Sequence, residues 1–173
     1  MDYNKIAKHY DNWYEWYFFS KEDEEVARMI WLQVWTILDI WCWTWLWIEI
    51  TKADSKHYFW LDVSNKILEI AKKKNPEYKF FNWKVTDVIF DSKYDVAIAL
   101  YWVMNYLTNE EIEKIIENAY SFFFMDYIDW YHPVCYPNNE YPKRQFDTEI
   151  FKKYFIWKFN NYNIYGNKWN KTK

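Results

Sequence analysis

The sequence predicts an α/β fold with a mainly parallel sheet. Three observations lead there. Short apolar runs alternate repeatedly with amphipathic segments of helical period between residues 36 and 128. Two of the runs, 36–40 and 94–100, are apolar almost throughout, as strands buried on both faces are. The acids Asp39, Asp62 and Asp87 then fall at or just past the ends of such runs, where open α/β sheets bind their ligands.

Taken in order, Tyr3, Ile6, Ala7, Tyr10 and Tyr14 recur at helical spacing, and Ser20-Lys21-Glu22-Asp23 opens a second helix with acids in its first turn. Together they predict an N-terminal helical cap over 1–32. Residues 36–40 are the first strand and 46–53 the helix after it. Residues 57–64 hold the second strand and its exit. Ser64 N-caps the next helix, with Ile67, Leu68 and Ala71 facing inward and lysines at 72–74 favouring the C-terminal dipole. Asn75-Pro76 stops it. Residues 78–81 and 94–100 are the third and fourth strands. Thr108-Asn109-Glu110-Glu111 is a capping box, followed by the core stripe Ile112, Ile115, Ile116 and Ala119. Residues 121–128 make the fifth strand and 129–145 a loop carrying Pro133, Pro137 and Pro142. A helix over 146–155 and one strand over 158–165, ending at Gly166, complete the chain.

The chain has 173 residues, enough for one domain with a real core. Its net charge of −3 provides no basic footprint for nucleic acid. Two cysteines are too few for a disulfide framework, and Met1-Asp2-Tyr3-Asn4-Lys5 has no signal-peptide layout, so a cytoplasmic protein is expected. Residues 30–50 are apolar enough to attract a membrane reading, but Asp39 sits near their centre with Gln33, Thr36, Thr44 and Glu49 around it. A mid-bilayer carboxylate is costly, which argues against a span. His132 and Cys135 fall short of the three or four ligands a zinc site needs, so no metal is expected.

Residues 36–46 read Thr-Ile-Leu-Asp-Ile-Trp-Cys-Trp-Thr-Trp-Leu. With glycine at 41, 43 and 45 this stretch resembles motif I of the class I S-adenosylmethionine-dependent methyltransferases. In such βα turns glycine lets the backbone approach the cofactor. Ile6-Ala7-Lys8-His9-Tyr10-Asp11 is similar to the segment that precedes motif I and caps the pocket. The resemblance covers roughly residues 3–128. It implies a Rossmann-like three-layer sandwich, a mainly parallel sheet with helices on both faces, and S-adenosylmethionine as cofactor. It places Asp39, Trp41, Cys42 and Trp43 against the cofactor. Asp62 would accept from both ribose hydroxyls, with Val63 beside it; the spacing of about 20 residues from the turn suits this role. Asp87 would accept from the adenine amino group while the Val88 amide donates to the ring, and Tyr101 would pack on the cofactor. Tyr10, Asn105, Tyr106 and the loop 129–145 fall on the acceptor side. Two antiparallel strands close the family's sheet, and the shortness of this chain leaves room for one to be reduced or absent. The acceptor implied is a small molecule or a protein. Because positioning and desolvation carry much of such catalysis, no obligatory dyad is expected and no catalytic residue is assigned.

Every expected motif I glycine is a tryptophan. The chain has one glycine and 14 tryptophans, where an ordinary domain of this length carries about 12 glycines. Turns need positions with φ > 0 that a bulky residue tolerates badly. Most tryptophans are therefore expected to stand where the fold wants glycine, through UGA read as tryptophan rather than glycine or through deliberate replacement. The literal chain is expected to bind cofactor poorly. Two other classes stay open. One is a carbohydrate- or ligand-binding module with tryptophans 41, 43, 45 and 47 as an aromatic platform, which requires a mostly β protein. The other is a non-catalytic, methyltransferase-like interaction protein.

Overall fold

The computed structural model describes residues 36–40, 54–100, 103–127, 146–159 and 162–167. The chain forms two compact units, Met1–Ile89 and Phe90–Lys173. The architecture is the mainly parallel α/β one that the sequence predicts.

In the first unit β1 (Ile37–Ile40), β2 (Tyr58–Leu61) and β3 (Lys79–Phe81) lie side by side in the order β3-β2-β1, all parallel. The register pairs Asp39 with Trp60 and Leu61 with Phe81. All four residues of β1 are buried, as its apolar run requires. Between β2 and β3 runs α1 (Asn65–Lys74). The Ser64 hydroxyl caps it by accepting from the Ile67 amide at 3.3 Å. Ile67, Leu68 and Ala71 are its buried stripe, and the helix stops at Asn75 before Pro76. Tyr58 and Trp60 are fully buried, and Trp60 meets Phe80 edge to face at 4.6 Å. A 3₁₀ turn over Val85–Asp87 follows β3.

The second unit holds β4 (Tyr94–Ala99), β5 (Ala119–Tyr127), β6 (Phe155–Phe159) and β7 (Tyr162–Gly166) in the order β4-β5-β7-β6. β4 and β5 are parallel; β5 with β7 and β6 with β7 are antiparallel. A 3₁₀ turn over Val103–Tyr106 leads to α2 (Asn109–Glu117). Its capping box forms in full. The Glu111 amide donates to the Thr108 hydroxyl at 3.2 Å, and the Thr108 amide donates to the Glu111 carboxylate at 3.0 Å. Ile112 and Ile115 carry the buried stripe, Ile116 is half-buried, and Ala119 already belongs to β5.

The C-terminal part corrects two expectations. The helix over 146–155 shrinks to one turn, α3 (Thr148–Phe151), followed by a 3₁₀ turn over Lys152–Tyr154. Phe155 opens β6 instead. Apolar residues here recur at a spacing that suits both periods, and the aromatic β-formers at 155–159 decide for strand. The single strand at the end is in fact two, so both antiparallel strands are present. The N-terminal cap 1–32, the helix expected over 46–53 and the loop 129–145 lie outside the described residues. Among the described residues no helix is long and apolar enough to cross a membrane.

Candidate functional site

The chemistry of the first unit gathers at the C-terminal ends of β1 and β2. Asp39 is the third residue of β1 and only 5% exposed. Its carboxylate accepts from the Tyr58 hydroxyl at 2.7 Å, a bond made inside the core between neighbouring strands. Burial pushes the Asp39 carboxyl up to about 7; the tyrosine hydrogen bond pulls it down, and the nearby charge of Asp62 pushes it up again. Asp62 is the first residue past β2 and 4% exposed. Burial raises it to about 7 as well, against the opposing pull of the Ser64 and Val63 backbone N–H groups. The Ser64 amide donates to the Asp62 carboxylate at 2.7 Å. Two carboxyls thus share one electrostatic neighbourhood at adjacent strand tips, each poised to change charge near neutrality.

Removing the Tyr58 hydroxyl exposes how this balance is set. In Y58F the carboxyl of Asp39 loses the donor that favours its ionised form, so it is expected to titrate above its present value of about 7. Carbon NMR titration of the side-chain carboxyl reads this directly, and an Asp39 midpoint unchanged or lowered in Y58F would contradict the assignment.

Around Asp62 the exit of β2 has an exposed apolar edge. Val63 is 41% exposed although its neighbours Asp62 and Ser64 are buried. Asp87 ends the 3₁₀ turn after β3 and is exposed, its carboxylate accepting from the Thr86 hydroxyl at 3.3 Å. Val88 is buried, and its amide donates to the Val85 carbonyl at a long 3.3 Å. Asp39 and Asp62 are therefore brought together, while Asp87 stands on a separate, solvent-facing turn of the same unit. Trp41, Cys42, Trp43, Tyr101 and Tyr10 lie outside the described residues, as do His132 and Cys135.

In the second unit Asn105 is fully buried on the 3₁₀ turn after β4. Its carboxamide donates to the Asp126 carboxylate at 2.8 Å, and Asn163 on β7 donates to the other oxygen at 3.2 Å. Asp126 is itself fully buried in β5, so the turn and β7 are tied to one core carboxylate. Tyr106, next on that turn, is half-buried.

Sequence reasoning passed over Tyr58, Asn82 and Asp126. Tyr58 was legible in principle: it lies an even number of residues before Trp60, the partner of Asp39, and so shares that partner's face of the strand. Nothing in the one-dimensional pattern marks Asn82 or Asp126, which act through neighbours brought up by the fold.

Strand order, the parallel register and the placement of acids at strand tips can now be set beside solved proteins. The aminopentose methyltransferase CalS10 from Micromonospora echinaspora, solved with S-adenosylmethionine, is similar with a TM-score of 0.58 and 17% identity, over 72% of this chain and 57% of that one. The N-methyltransferase NodS from Bradyrhizobium japonicum, solved with S-adenosylhomocysteine, gives 0.57 and 14% over 72% of this chain and 73% of that one. The DhpI–SAM–HEP complex gives 0.57 and 15% over 94% and 77%. The fold is that of the class I S-adenosylmethionine-dependent methyltransferases. The chain spans little more than half the length of several of these methyltransferases, 57% in the case of CalS10. No protein-family model and no curated protein sequence matches it. The stretch that resembles motif I starts on β1, and the C-terminal tip of β2 lies beside that of β1. Asp39 and Asp62 occupy those tips here.

Proposed function

We propose that the chain is a methyltransferase that uses S-adenosylmethionine, and that Asp39 and Asp62 line its cofactor site. The observation that carries this reading is the pair of buried carboxyls at adjacent parallel strand ends in a methyltransferase fold. Structural relatives solved with S-adenosylmethionine or S-adenosylhomocysteine support the same cofactor. The described residues fit an adenosyl group. Asp62 offers a fixed acceptor for vicinal ribose hydroxyls, Val63 an exposed apolar wall for the base, and Asp87 a solvent-facing acceptor for an amino group.

The cofactor, when bound, supplies an electrophilic methyl group on a sulfonium. The chain's own residues bind and orient. Asp62 holds the ribose, Asp39 adds negative potential at the neighbouring tip when ionised, and Asp87 takes the amino group of the base, the Val88 amide being engaged by the Val85 carbonyl. Asn105 and Tyr106, on the turn fixed by Asp126, are assigned to the acceptor side, as the resemblance also assigns Tyr10 and the loop 129–145. Trp41, Cys42 and Trp43 follow β1 in the sequence, where the resemblance puts the cofactor, and tryptophans there are expected to block it. The acceptor is a small molecule or a protein. Among the structural relatives, CalS10 is named an aminopentose methyltransferase and BpumL a plantazolicin methyltransferase.

The test is Asp62→Ala in a chain whose motif I turn carries glycine. Losing two charge-assisted hydrogen bonds is expected to weaken S-adenosylhomocysteine by roughly 100-fold. Affinity unchanged by the substitution would remove Asp62 from the site and the reading with it.

A further inference from the structure

We propose that Asn82 is a positioning residue of this site, holding Asp62 and Val63 in place from the neighbouring strand. The inference rests on the cofactor reading above and adds a residue to it. Two consecutive residues of the β3 exit engage both backbone groups of Asp62. The Asp62 amide donates to the Phe81 carbonyl at 3.0 Å, and the Asn82 carboxamide donates to the Asp62 carbonyl at 3.0 Å. The parallel ladder between β2 and β3 ends at Leu61 and Phe81, so the next carbonyl on β2 has lost its regular strand partner. Asn82 stands opposite it in the extended register and supplies the missing donor from its side chain. The Asp62 carboxylate is meanwhile held by the Ser64 amide at 2.7 Å. One residue is thus fixed at its amide, its carbonyl and its carboxylate.

The chemistry explains why a carboxamide serves here. The Asp62 carbonyl needs a donor at short reach, which asparagine provides without charge. Aspartate at 82 would have the same shape but no hydrogen to give, and would add a third acid beside Asp39 and Asp62. Without the donor, the peptide between Asp62 and Val63 is free to turn. That turn would swing the carboxylate and the exposed Val63 side chain together, while the Ser64 cap on α1 stays in place.

Two readouts test this. In the unliganded chain as it stands, N82A is expected to speed hydrogen exchange at the Ser64 amide by about 10-fold, with the α1 amides beyond Leu68 unchanged. N82D, isosteric but without the donor, is expected to do the same. In the chain with glycine at 41, 43 and 45, N82A is expected to weaken adenosine about 10-fold but leave 2′,3′-dideoxyadenosine unaffected, because only the first engages Asp62. Unchanged Ser64 exchange in both variants would overturn the proposal. So would an equal loss for both nucleosides, which marks a general structural effect. If the glycine-bearing chain with Asn82 intact binds neither nucleoside, the cofactor reading fails instead, and the exchange data alone decide whether Asn82 holds Asp62.

Discussion

Asp39→Asn is expected to stabilise the protein at pH 8 and to flatten its stability profile between pH 5 and pH 7.5. In the folded protein both Asp39 and Asp62 are raised from 3.8 to about 7, by burial above all. The sign follows from proton counting. Below about pH 4 both states carry the protons and stability is at its fullest. As pH rises from there towards 7, the unfolded chain releases its protons while the folded chain keeps them, so folding stability falls. Above 7 both states are ionised and the profile levels off. A shift of this size corresponds to on the order of 4 kcal/mol per carboxyl as an upper bound, and the mutual repulsion of the two keeps them from adding simply. Asparagine keeps an oxygen for the Tyr58 hydroxyl but carries no charge to desolvate. A gain of about 1–3 kcal/mol at pH 8 is expected, with little change at pH 4.5, and urea denaturation at the two pH values measures it. A variant equally stable at pH 4.5 and less stable at pH 8 would show that the Asp39 charge is favourable in the fold, against the account.

Much of the fold was legible in the sequence because its signals are local. Ser64 and Thr108 cap their helices as their neighbours demand, and the apolar runs at 37–40 and 94–99 could only be buried strands. The placement of Asp39 and Asp62 at the ends of neighbouring strands was legible from the apolar runs that precede them. What escaped depended on contacts between segments far apart in the chain. The hydroxyl of Tyr58 reaches Asp39 across 19 residues, Asn82 reaches Asp62 across 20, and Asn163 reaches Asp126 across 37. The C-terminal strands were misread for a different reason. Around Phe155 aromatic residues satisfy both helical and extended patterns, and pairing with Tyr165 settles the matter. A mostly β binding module is incompatible with α1 and α2 between parallel strands.

Glycine at 41, 43 and 45 is expected to turn a chain that does not bind cofactor into one that does. If the segment after β1 is the motif I turn, its backbone has to come close to the cofactor, and an indole there would fill the space of the methionine moiety or ribose and resist the dihedrals required. Trp60 bears on the same substitution. Its indole is 1% exposed and its N–H has no hydrogen-bond partner among the described residues, an arrangement that costs about 1–3 kcal/mol and that buried tryptophans seldom show. A core built for tryptophan would have supplied an acceptor. Codons of UGG at 41, 43 and 45 would exclude the recoding route to tryptophan at those positions. Restored binding in the micromolar range would correspond to about 8 kcal/mol, none of which is expected in the literal chain. Isothermal calorimetry of S-adenosylhomocysteine into the two chains measures this directly. The account predicts a one-to-one isotherm with glycine at the three positions and no heat of binding without it; tight binding by the tryptophan chain, or none by the glycine chain, would contradict it.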